Sequence, residues 1–403
     1  MARISYQDSE GPELSWRPNF LGKPRLHRLK IAGGAPYSTV SHVIFEQFGL
    51  GYMICDKFPR VLELNFPVEG RVRRLIDAMY RFHDKKPPVW RCPQFGNADW
   101  LRNMSGASKL DPNKVVVTLS GGKDGLYYLL RAIEKYGKEN VLPVHLARLS
   151  MEGVAHRELK AARDLADQLE IYLKVIEFTN STRVPGPRIM NFRDIFLMAM
   201  LAGVAQEFGA KKIFIEGSDD AKSSGDPYFS DLDSSEEAML DILHDWGVNV
   251  EIESESISEY EVLRRMYDNL KSHMLMPYTH SCLRCDKLTM FCRKWYKANF
   301  PKLYRKFYWM QCGSCFKCRV ITLARILWDP DMDFVPIEER YEYVRLTQEW
   351  REKISRKYKG SWDFVNDPSL LQLLNEVQLA KTGTLALPSR RIERDEVMRR
   401  KAV

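Results

Sequence analysis

The run of residues 115–136 constrains the fold more than any other part of this 403-residue chain. A β-branched segment, VVVTL, leads directly into Ser-Gly-Gly-Lys-Asp-Gly, and a helical pattern, LYYLLRAIEKY, follows at once. A glycine turn between a strand and a helix leaves backbone N–H groups unpaired at the positive end of the helix dipole. This arrangement predicts an anion site, and the expected anion is the phosphate chain of a nucleotide.

The predicted phosphate loop differs from two common nucleotide motifs. It lacks the GxxxxGK[ST] spacing of a Walker A loop and the GxGxxG spacing of a dinucleotide fold. Its glycines allow a close backbone approach to the anion, and its serine adds a hydroxyl donor. The alternative is a plain strand–helix turn without a ligand. The predicted ATP-binding residues are Ser120, Gly121, Gly122, Lys123, Asp124 and Gly125.

Strands and helices alternate along the chain from about residue 111. The β-rich runs VLPVHLARL, YLKVIEF and KKIFIEG are separated by helical patterns such as AHRELKAARDLADQLEI. This alternation predicts an α/β fold with a Rossmann-like parallel sheet. Ligands of such sheets bind beyond the carboxyl ends of the strands. The loops that follow these strands are therefore expected to meet in one crevice.

Four of the eight cysteines are spaced for a single metal ion. Cys312, Cys315 and Cys318 follow one another at two-residue gaps, and Cys282 offers a fourth thiol. Four thiolates suit tetrahedral zinc. Cys285 is an alternative fourth ligand, because it shares one CLRC pair with Cys282. Unligated thiols and an iron–sulfur cluster are the competing interpretations.

Patterning divides the chain into four predicted parts. Residues 1–110 form an N-terminal α+β extension, and residues 111–250 form the nucleotide-binding domain. Residues 251–345 form a helical zinc-binding lobe with an insertion, and residues 346–403 form a helical, charged C-terminal tail. The insertion carries the basic and aromatic stretch at 291–310. We interpret this stretch as a packing surface, with nucleic-acid or partner binding as the alternative.

The patterns along the chain predict a cytoplasmic protein, and its charge limits the expected partners. The formal charge of +8 permits an anionic ligand without requiring nucleic acid. No apolar run reaches the ~18–20 residues of a membrane span, and the N-terminus lacks a secretory pattern. Thiols stay reduced in the cytoplasm, so the cysteines are interpreted as ligands or bystanders and not as disulfides.

The loop and the cysteines together resemble the motifs of a known family. SGGKDG is similar to the SGGxDS loop of PP-loop enzymes, which split ATP into AMP and pyrophosphate. From about residue 114 to 326 the chain resembles the 7-cyano-7-deazaguanine (preQ0) synthase, or QueC-like, family. The segments that carry this resemblance are the loop, the ELKAARDLA helix, VPGPR, IFIEGSDDAKSSGDP, and the cysteines of HSC and CGSCFKCR.

The resemblance implies ATP-dependent adenylation of the carboxylate of 7-carboxy-7-deazaguanine, with pyrophosphate as the leaving group. Mg²⁺ would accompany the phosphates and Zn²⁺ the cysteines. The expected catalytic residues are Lys123, Asp124 and Arg188. The side chains of Lys123 and Arg188 would stabilise the negative charge that develops on the phosphates. Three aspartates among the residues named next would bind Mg²⁺ or the guanine-like edge of the substrate, and the histidine would contact phosphate or substrate. The alternatives are that the aspartates are solvated loop residues and that the histidine serves in packing. The expected substrate-binding residues are His156, Asp219, Asp220 and Asp226.

The sequence departs from the family pattern at several points. Gly125 stands where the family has Ser or Thr, and VPGPR carries an extra proline. Tyr228, Phe229 and Ser230 replace an Asp-Cys-Arg, and a long insertion precedes Cys312. These departures indicate a diverged member with an altered or larger substrate. QueC-like proteins with extra domains occur in anti-phage defence operons.

Three functions follow from these motifs. The first is an ATP-dependent C–N ligase that acts on a small deazaguanine substrate. Its acceptor is ammonia, which gives preQ0, or an amine of a macromolecule such as a partner protein. The second is a tRNA-thiolating PP-loop enzyme, in which Cys282 and Cys285 would be redox or cluster cysteines. The third is a nucleotide-binding scaffold without catalysis. Nucleic acid is not favoured as a partner, and no membrane partner is expected.

Overall fold

Ten strands of the computed structural model pair into one sheet. In chain order they are β1 (Ala2–Gln7), β2 (Glu13–Pro18), β3 (His27–Ala32), β4 (Val61–Leu64), β5 (Val89–Arg91), β6 (Asp111–Thr118), β7 (Val141–Ala147), β8 (Lys174–Asn180), β9 (Ala210–Gly217) and β10 (Glu251–Ser256). The described residues are 2–7, 13–18, 27–32, 39–54, 58–82, 84–96, 109–147, 152–180, 190–217, 227–282, 294–296, 298–305, 312–329, 332, 335–357 and 367–381.

Helices follow most of the strands and account for most of the described residues after β10. They are α1 (Thr39–Ile54), α2 (Gly70–Phe82), α3 (Lys123–Tyr136), α4 (Glu152–Gln168), α5 (Met190–Phe208), α6 (Pro227–Asp245), α7 (Glu259–Asp268), α8 (Leu270–Leu275), α9 (Pro301–Arg305), α10 (Phe316–Trp328), α11 (Ile337–Lys357) and α12 (Pro368–Lys381). No helix within these described ranges is long and apolar enough to cross a bilayer.

The half of the sheet that contains the predicted loop is parallel. Its strands lie in the order β10-β9-β6-β7-β8, and each neighbouring pair within it is parallel. The chain therefore starts at β6 in the middle, adds β7 and β8 on one side, and then adds β9 and β10 on the other. This order creates a topological switch point at the carboxyl end of β6. The predicted α/β class with a parallel sheet is confirmed.

Two apolar layers cover the faces of the parallel half. Val116 on β6 belongs to the layer that contains α1, α5 and α6. Val115 and Val117 belong to the layer that contains α3 and the C-terminal helices α7, α10 and α12. Successive side chains of a strand point to opposite faces, so the continuous valine run is the pattern of a strand buried on both sides.

The N-terminal segment extends the same sheet. β3 pairs antiparallel with β8, and β2, β1, β4 and β5 continue outward from it. Helix α1 packs along α5, and Gly51 makes room for the ring of Phe192, which lies 1.8 Å from where a Cβ would stand. The N-terminal segment contains both strands and helices, as predicted, and β3 joins it to the parallel half of the sheet. The division of the chain into four domains stays a prediction.

Candidate functional site

The predicted phosphate loop lies at the switch point, directly after β6. The Leu119 N–H donates to the carbonyl of Val144 on β7 at 2.9 Å. The Leu119 carbonyl accepts a hydrogen bond from His145 Nδ1 at 2.7 Å. Helix α3 then starts at Lys123, with Gly122 as its N-cap residue. The loop therefore places the amino end of α3 at the edge of the sheet where doubly wound folds bind ligands.

His145 is a buried histidine that holds the start of the loop. Its ring is 3% exposed. Because the Leu119 carbonyl can only accept, the histidine donates from Nδ1 and carries its proton there. Burial lowers the pKa of His145, so the neutral ring persists. The sequence offered one signal for it, a single polar residue within the apolar strand VLPVHLA.

Gly121 makes the turn with a left-handed backbone, at φ +83°. A Cβ at this position would lie 2.4 Å from the carbonyl oxygen of Glu158 on α4. The loop therefore packs against α4 at a distance that only glycine allows. Positive φ and close packing are separate reasons for glycine here.

We expect Gly121→Ala to destabilise the protein far more than Gly209→Ala. Gly209 also has a positive φ, +72°, but nothing lies within 4 Å of its Cβ position. The control therefore carries only the backbone strain, about 1–2 kcal/mol, and the loop variant adds the clash with Glu158. Urea unfolding of both variants measures the difference. Equal losses would contradict the close packing of the loop on α4.

Gly125 lies in the first turn of α3, facing the start of the loop. A Cβ at this position would lie 3.1 Å from the Ser120 nitrogen and 3.2 Å from its Oγ. The loop thus closes over the space in which a serine or threonine side chain would begin. This close packing gives a structural reason for glycine at position 125, where SGGKDG differs from SGGxDS.

A second segment of the chain braces the loop from the C-terminal side. The His280 N–H donates to the carbonyl of Gly121 at 2.7 Å. The Ser281 hydroxyl accepts from the Lys123 N–H at 3.0 Å. Ser281 thereby caps α3 from outside the helix, a role that Gly122 cannot perform because it has no side chain.

Lys123 lies at the centre of a buried ion network. Its side chain is fully buried, and its Nζ contacts Asp124 Oδ1 and lies 3.0 Å from Glu259 Oε1. Lys317 Nζ lies 3.1 Å from the other oxygen of Glu259. These residues stand at the first turns of α3, α7 and α10. Three helix amino ends therefore converge on one cluster of alternating charges, and their dipoles favour the carboxylates.

The network shifts the pKa values of its members. Burial opposes charge on each group, but the opposite charges outweigh it. The carboxylates of Asp124 and Glu259 raise the pKa of Lys123. Lys123 and then Lys317 lower the pKa of Asp124 and of Glu259. Lys123, Asp124 and Glu259 are thus charged near neutral pH.

We expect the buried ion network to make the free energy of unfolding fall as the pH is lowered into the acid range. The pKa values of the two carboxyls are lowered on folding, so their contribution is complete above about pH 4–4.5 and is lost as the pH falls further. The pKa of Lys123 is raised on folding, so its contribution to stability is complete below the ordinary value of 10.5 and is lost as the pH rises further. Urea midpoints between pH 7 and pH 3 test this, and Glu259→Gln should show a smaller loss on acidification. Parallel acid profiles in the two proteins would exclude this role for Glu259.

The four predicted cysteine ligands converge. The Sγ atoms of Cys282, Cys312, Cys315 and Cys318 all lie within 4.8 Å of one another and are buried. Two of the separations are 3.8 Å, between Cys312 and Cys318, and 4.0 Å, between Cys282 and Cys315. A tetrahedral ion with Zn–S bonds of about 2.3 Å separates its thiolates by about 3.8 Å. The cluster therefore fits a single tetrahedral ion, whereas a polynuclear cluster would hold its thiolates farther apart.

Local backbone geometry supports a metal at this position. The N–H groups of Ser314 and Cys315 point at Cys312 Sγ, at 3.4 and 3.3 Å. Gly313 turns the chain with φ +74°, and the Tyr343 hydroxyl donates to its carbonyl at 2.8 Å. Burial raises the pKa of the Cys318 thiol well above its usual range. A cation would replace the thiol protons and compensate for the burial of charge.

The basic and aromatic stretch at 291–310 packs against the cysteine turn where it is described. Tyr296 and Phe300 are buried and stack with centroids 5.6 Å apart. The Tyr296 ring lies 3.2 Å from where a Cβ of Gly313 would stand. Arg319, next to Cys318, donates to the Tyr296 hydroxyl at 3.2 Å. These contacts agree with the interpretation of this stretch as a packing surface.

The structure does not test the roles of the other predicted site residues. His156 is an exposed residue near the amino end of α4, and its contact with substrate stays a prediction. The remaining predictions fall on positions outside the described residues, and their roles also stay predictions. These positions are Arg188, Asp219, Asp220, Asp226 and Cys285.

Comparison with known proteins adds little beyond the chain's own residues. No protein-family model matches the chain, and no curated protein sequence matches it. Among solved structures it is similar to a glutamine-dependent NAD+ synthetase from Acinetobacter baumannii in complex with ADP, at 10% identity and a TM-score of 0.29. That match covers 88% of this chain and 79% of the synthetase. At this identity and TM-score the match does not establish a shared fold or a shared function.

Proposed function

We propose that this chain is an ATP-dependent ligase of the PP-loop type, which releases pyrophosphate and forms AMP. The observation that carries the proposal is the position of the SGGKDG loop at the carboxyl end of β6, the central strand of the order β10-β9-β6-β7-β8. Nucleotides bind at such switch points, and helix amino ends bind their phosphates. A SGGxDS-like loop at this point binds the pyrophosphate part of ATP.

The chain's own residues divide the work of binding and charge stabilisation. The amino end of α3 and the hydroxyl of Ser120 donate hydrogen bonds to phosphate oxygens. Lys123, fixed by Asp124 and Glu259, offsets the charge that develops as pyrophosphate leaves. Arg188 has the same role on the α-phosphate. Asp226 and other acidic side chains would hold Mg²⁺, which would neutralise further charge on the phosphates.

The proposed substrate is the carboxylate of 7-carboxy-7-deazaguanine. A carboxylate oxygen attacks the α-phosphorus, the bond to the β-phosphate breaks, and pyrophosphate leaves. An amine then attacks the acyl carbon, AMP leaves, and an amide forms with loss of the amine proton. With ammonia as the amine, the amide oxygen attacks the α-phosphorus of a second ATP and pyrophosphate leaves again; loss of AMP and of both protons on nitrogen then gives the nitrile of preQ0. A macromolecular amine would stop at the amide, as suits a modification in anti-phage defence.

The cysteine cluster is proposed to hold structural Zn²⁺. Its four thiols occupy every position of a tetrahedral ion, so no position is left for a substrate. The same geometry weighs against tRNA thiolation, because Cys282 lies in the cluster and is not a free redox thiol. A catalytically silent nucleotide-binding scaffold is the second candidate, and the crowded position of Gly125 favours it.

The experiment that tests the proposal measures pyrophosphate and identifies products. The full chain is incubated with ATP, Mg²⁺ and 7-carboxy-7-deazaguanine, with and without ammonium, and the products are analysed by mass spectrometry. Pyrophosphate that depends on the deazaguanine, with AMP in equal amount, supports the ligase. ATP binding without AMP under every condition, including added amines and candidate partner proteins, supports the scaffold and excludes the ligase.

A further inference from the structure

The cysteine cluster and the phosphate loop are joined by adjacent residues of one short segment. Residues 280–282, which we term the strap, follow the 3-10 turn at Met276–Tyr278. His280 and Ser281 make the hydrogen bonds to the loop, at 2.7 and 3.0 Å. The next residue, Cys282, brings its thiol to the cluster, 4.0 Å from Cys315. A shift of this thiol therefore moves the two residues that brace the loop.

A second connection joins the cysteine cluster to Lys123 of the loop through two side chains. Lys317 lies between Cys315 and Cys318 in sequence, and its Nζ binds Glu259. Glu259 in turn binds the side chain of Lys123. The backbone N–H of Lys123 is thus tied to the cluster through the strap, and its ammonium group through Glu259. Among the described residues of the loop, Lys123 is the point at which both connections meet.

We propose that the metal centre acts as a clamp on the phosphate loop, with Ser281 as the positioning residue that transmits its effect. The inference rests on the proposed nucleotide site and assigns a means of controlling it. A loop with two consecutive glycines has many conformations available, and nucleotide binding must select one of them. A metal that fixes Cys282 fixes the strap and so preorganises the loop before the nucleotide arrives.

Thermodynamic linkage gives the clamp a reciprocal signature. If the metal strengthens nucleotide binding by some factor, the nucleotide must strengthen metal binding by the same factor. Couplings of this kind commonly fall in the range of about 5- to 150-fold. We expect roughly a tenfold loss of nucleotide affinity on metal removal, because two connections are released together.

The test compares nucleotide affinity in three forms of the full chain. Calorimetry with a non-hydrolysable ATP analogue is run on zinc-loaded protein, on chelator-treated protein, and on zinc-loaded Ser281→Ala. The alanine variant should retain its zinc and bind the analogue about fivefold more weakly, which is the effect of losing a helix cap. Ser281→Thr keeps the hydroxyl and should restore affinity.

Two controls separate the clamp from a general loss of structure. Ser314→Ala removes a hydroxyl that lies 3.5 Å from Cys312 Sγ in the 312–318 turn, outside the strap, and it should leave nucleotide affinity unchanged. Zinc transfer to a chelating dye should slow when the analogue is present, because a bound nucleotide fixes the loop, the strap and so Cys282. This readout uses zinc-loaded protein only, so it holds even if the metal-free chain fails to fold.

The outcomes separate the clamp from the proposed function. Equal analogue affinity in zinc-loaded protein and in Ser281→Ala, with zinc transfer unaffected by the analogue, overturns the clamp alone. Tighter binding by Ser281→Ala also overturns it, because the hydroxyl would then compete with phosphate for the Lys123 N–H. If the zinc-loaded wild-type chain binds no nucleotide, both the proposed function and the clamp are wrong.

Discussion

Cys282→Ser is expected to abolish stoichiometric metal binding and to lower the free energy of unfolding by on the order of 5 kcal/mol. Cys282 is the only described ligand that comes from outside the 312–318 turn, so it alone ties that turn to the strap. A serine hydroxyl is a weak ligand for an ion that prefers thiolates. Loss of the ion leaves three buried cysteine side chains without the cation that compensates their charge. It also loosens the packing of Gly313 on Tyr296. Elemental analysis and urea unfolding measure the two effects.

Cys92→Ser is the matched control for this variant. Cys92 is half-buried against the other apolar layer and lies outside the cysteine cluster. The control should keep one equivalent of zinc and lose less than about 1.5 kcal/mol. Retention of a full equivalent of tightly bound zinc by Cys282→Ser, with unchanged stability, would contradict the proposed ligand set. The double variant with Cys285→Ser would then show whether Cys285 replaces it.

The sequence predicts the parallel half of the sheet because its signal is local. The valine run before SGGKDG and the helical pattern after it need no distant partner to be recognised. The strand order is different, because it depends on which strands pair across long stretches of chain. The antiparallel pairing of β3 with β8 joins Leu29 to Asn180, and no pattern within either strand specifies the other. The N-terminal segment could therefore be recognised as α+β but not placed on the sheet.

The same distinction between local and long-range signals applies to the residues of the candidate site. The spacing of CGSCFKC predicts three candidate metal ligands by itself, and Cys282 is predicted because a tetrahedral ion requires a fourth thiol. Glu259, Lys317 and Ser281 were missed, since each is a common polar residue at a helix start or in a turn. Ser281 is 158 positions from Lys123, and only the fold brings its hydroxyl to that N–H. Residues that act by distant contact, without a distinctive side chain, are the part of a site that sequence patterns do not reveal.

Lys123→Met is expected to have the second large effect, on both stability and activity. Lys123 is fully buried between two carboxylates, and its loss leaves Asp124 and Glu259 without their central counter-ion. Removing one partner of a buried ion pair costs about 3–5 kcal/mol, because the remaining charge is buried and uncompensated. If Lys123 also offsets the charge of leaving pyrophosphate, the rate of pyrophosphate release should fall by at least about 10²-fold.

Two further variants separate the structural role of Lys123 from the catalytic one. Adding Glu259→Gln to Lys123→Met removes one uncompensated carboxylate, and the charge of Lys317 still acts on the carboxylate of Asp124. The double variant should therefore regain part of the lost stability while pyrophosphate release stays abolished. Lys160→Met removes an exposed lysine that pairs with Asp164 on the surface of α4, and its stability should change by less than about 0.5 kcal/mol. Recovery of pyrophosphate release together with stability in the double variant would show that Lys123 supports the fold of the loop and takes no part in the reaction.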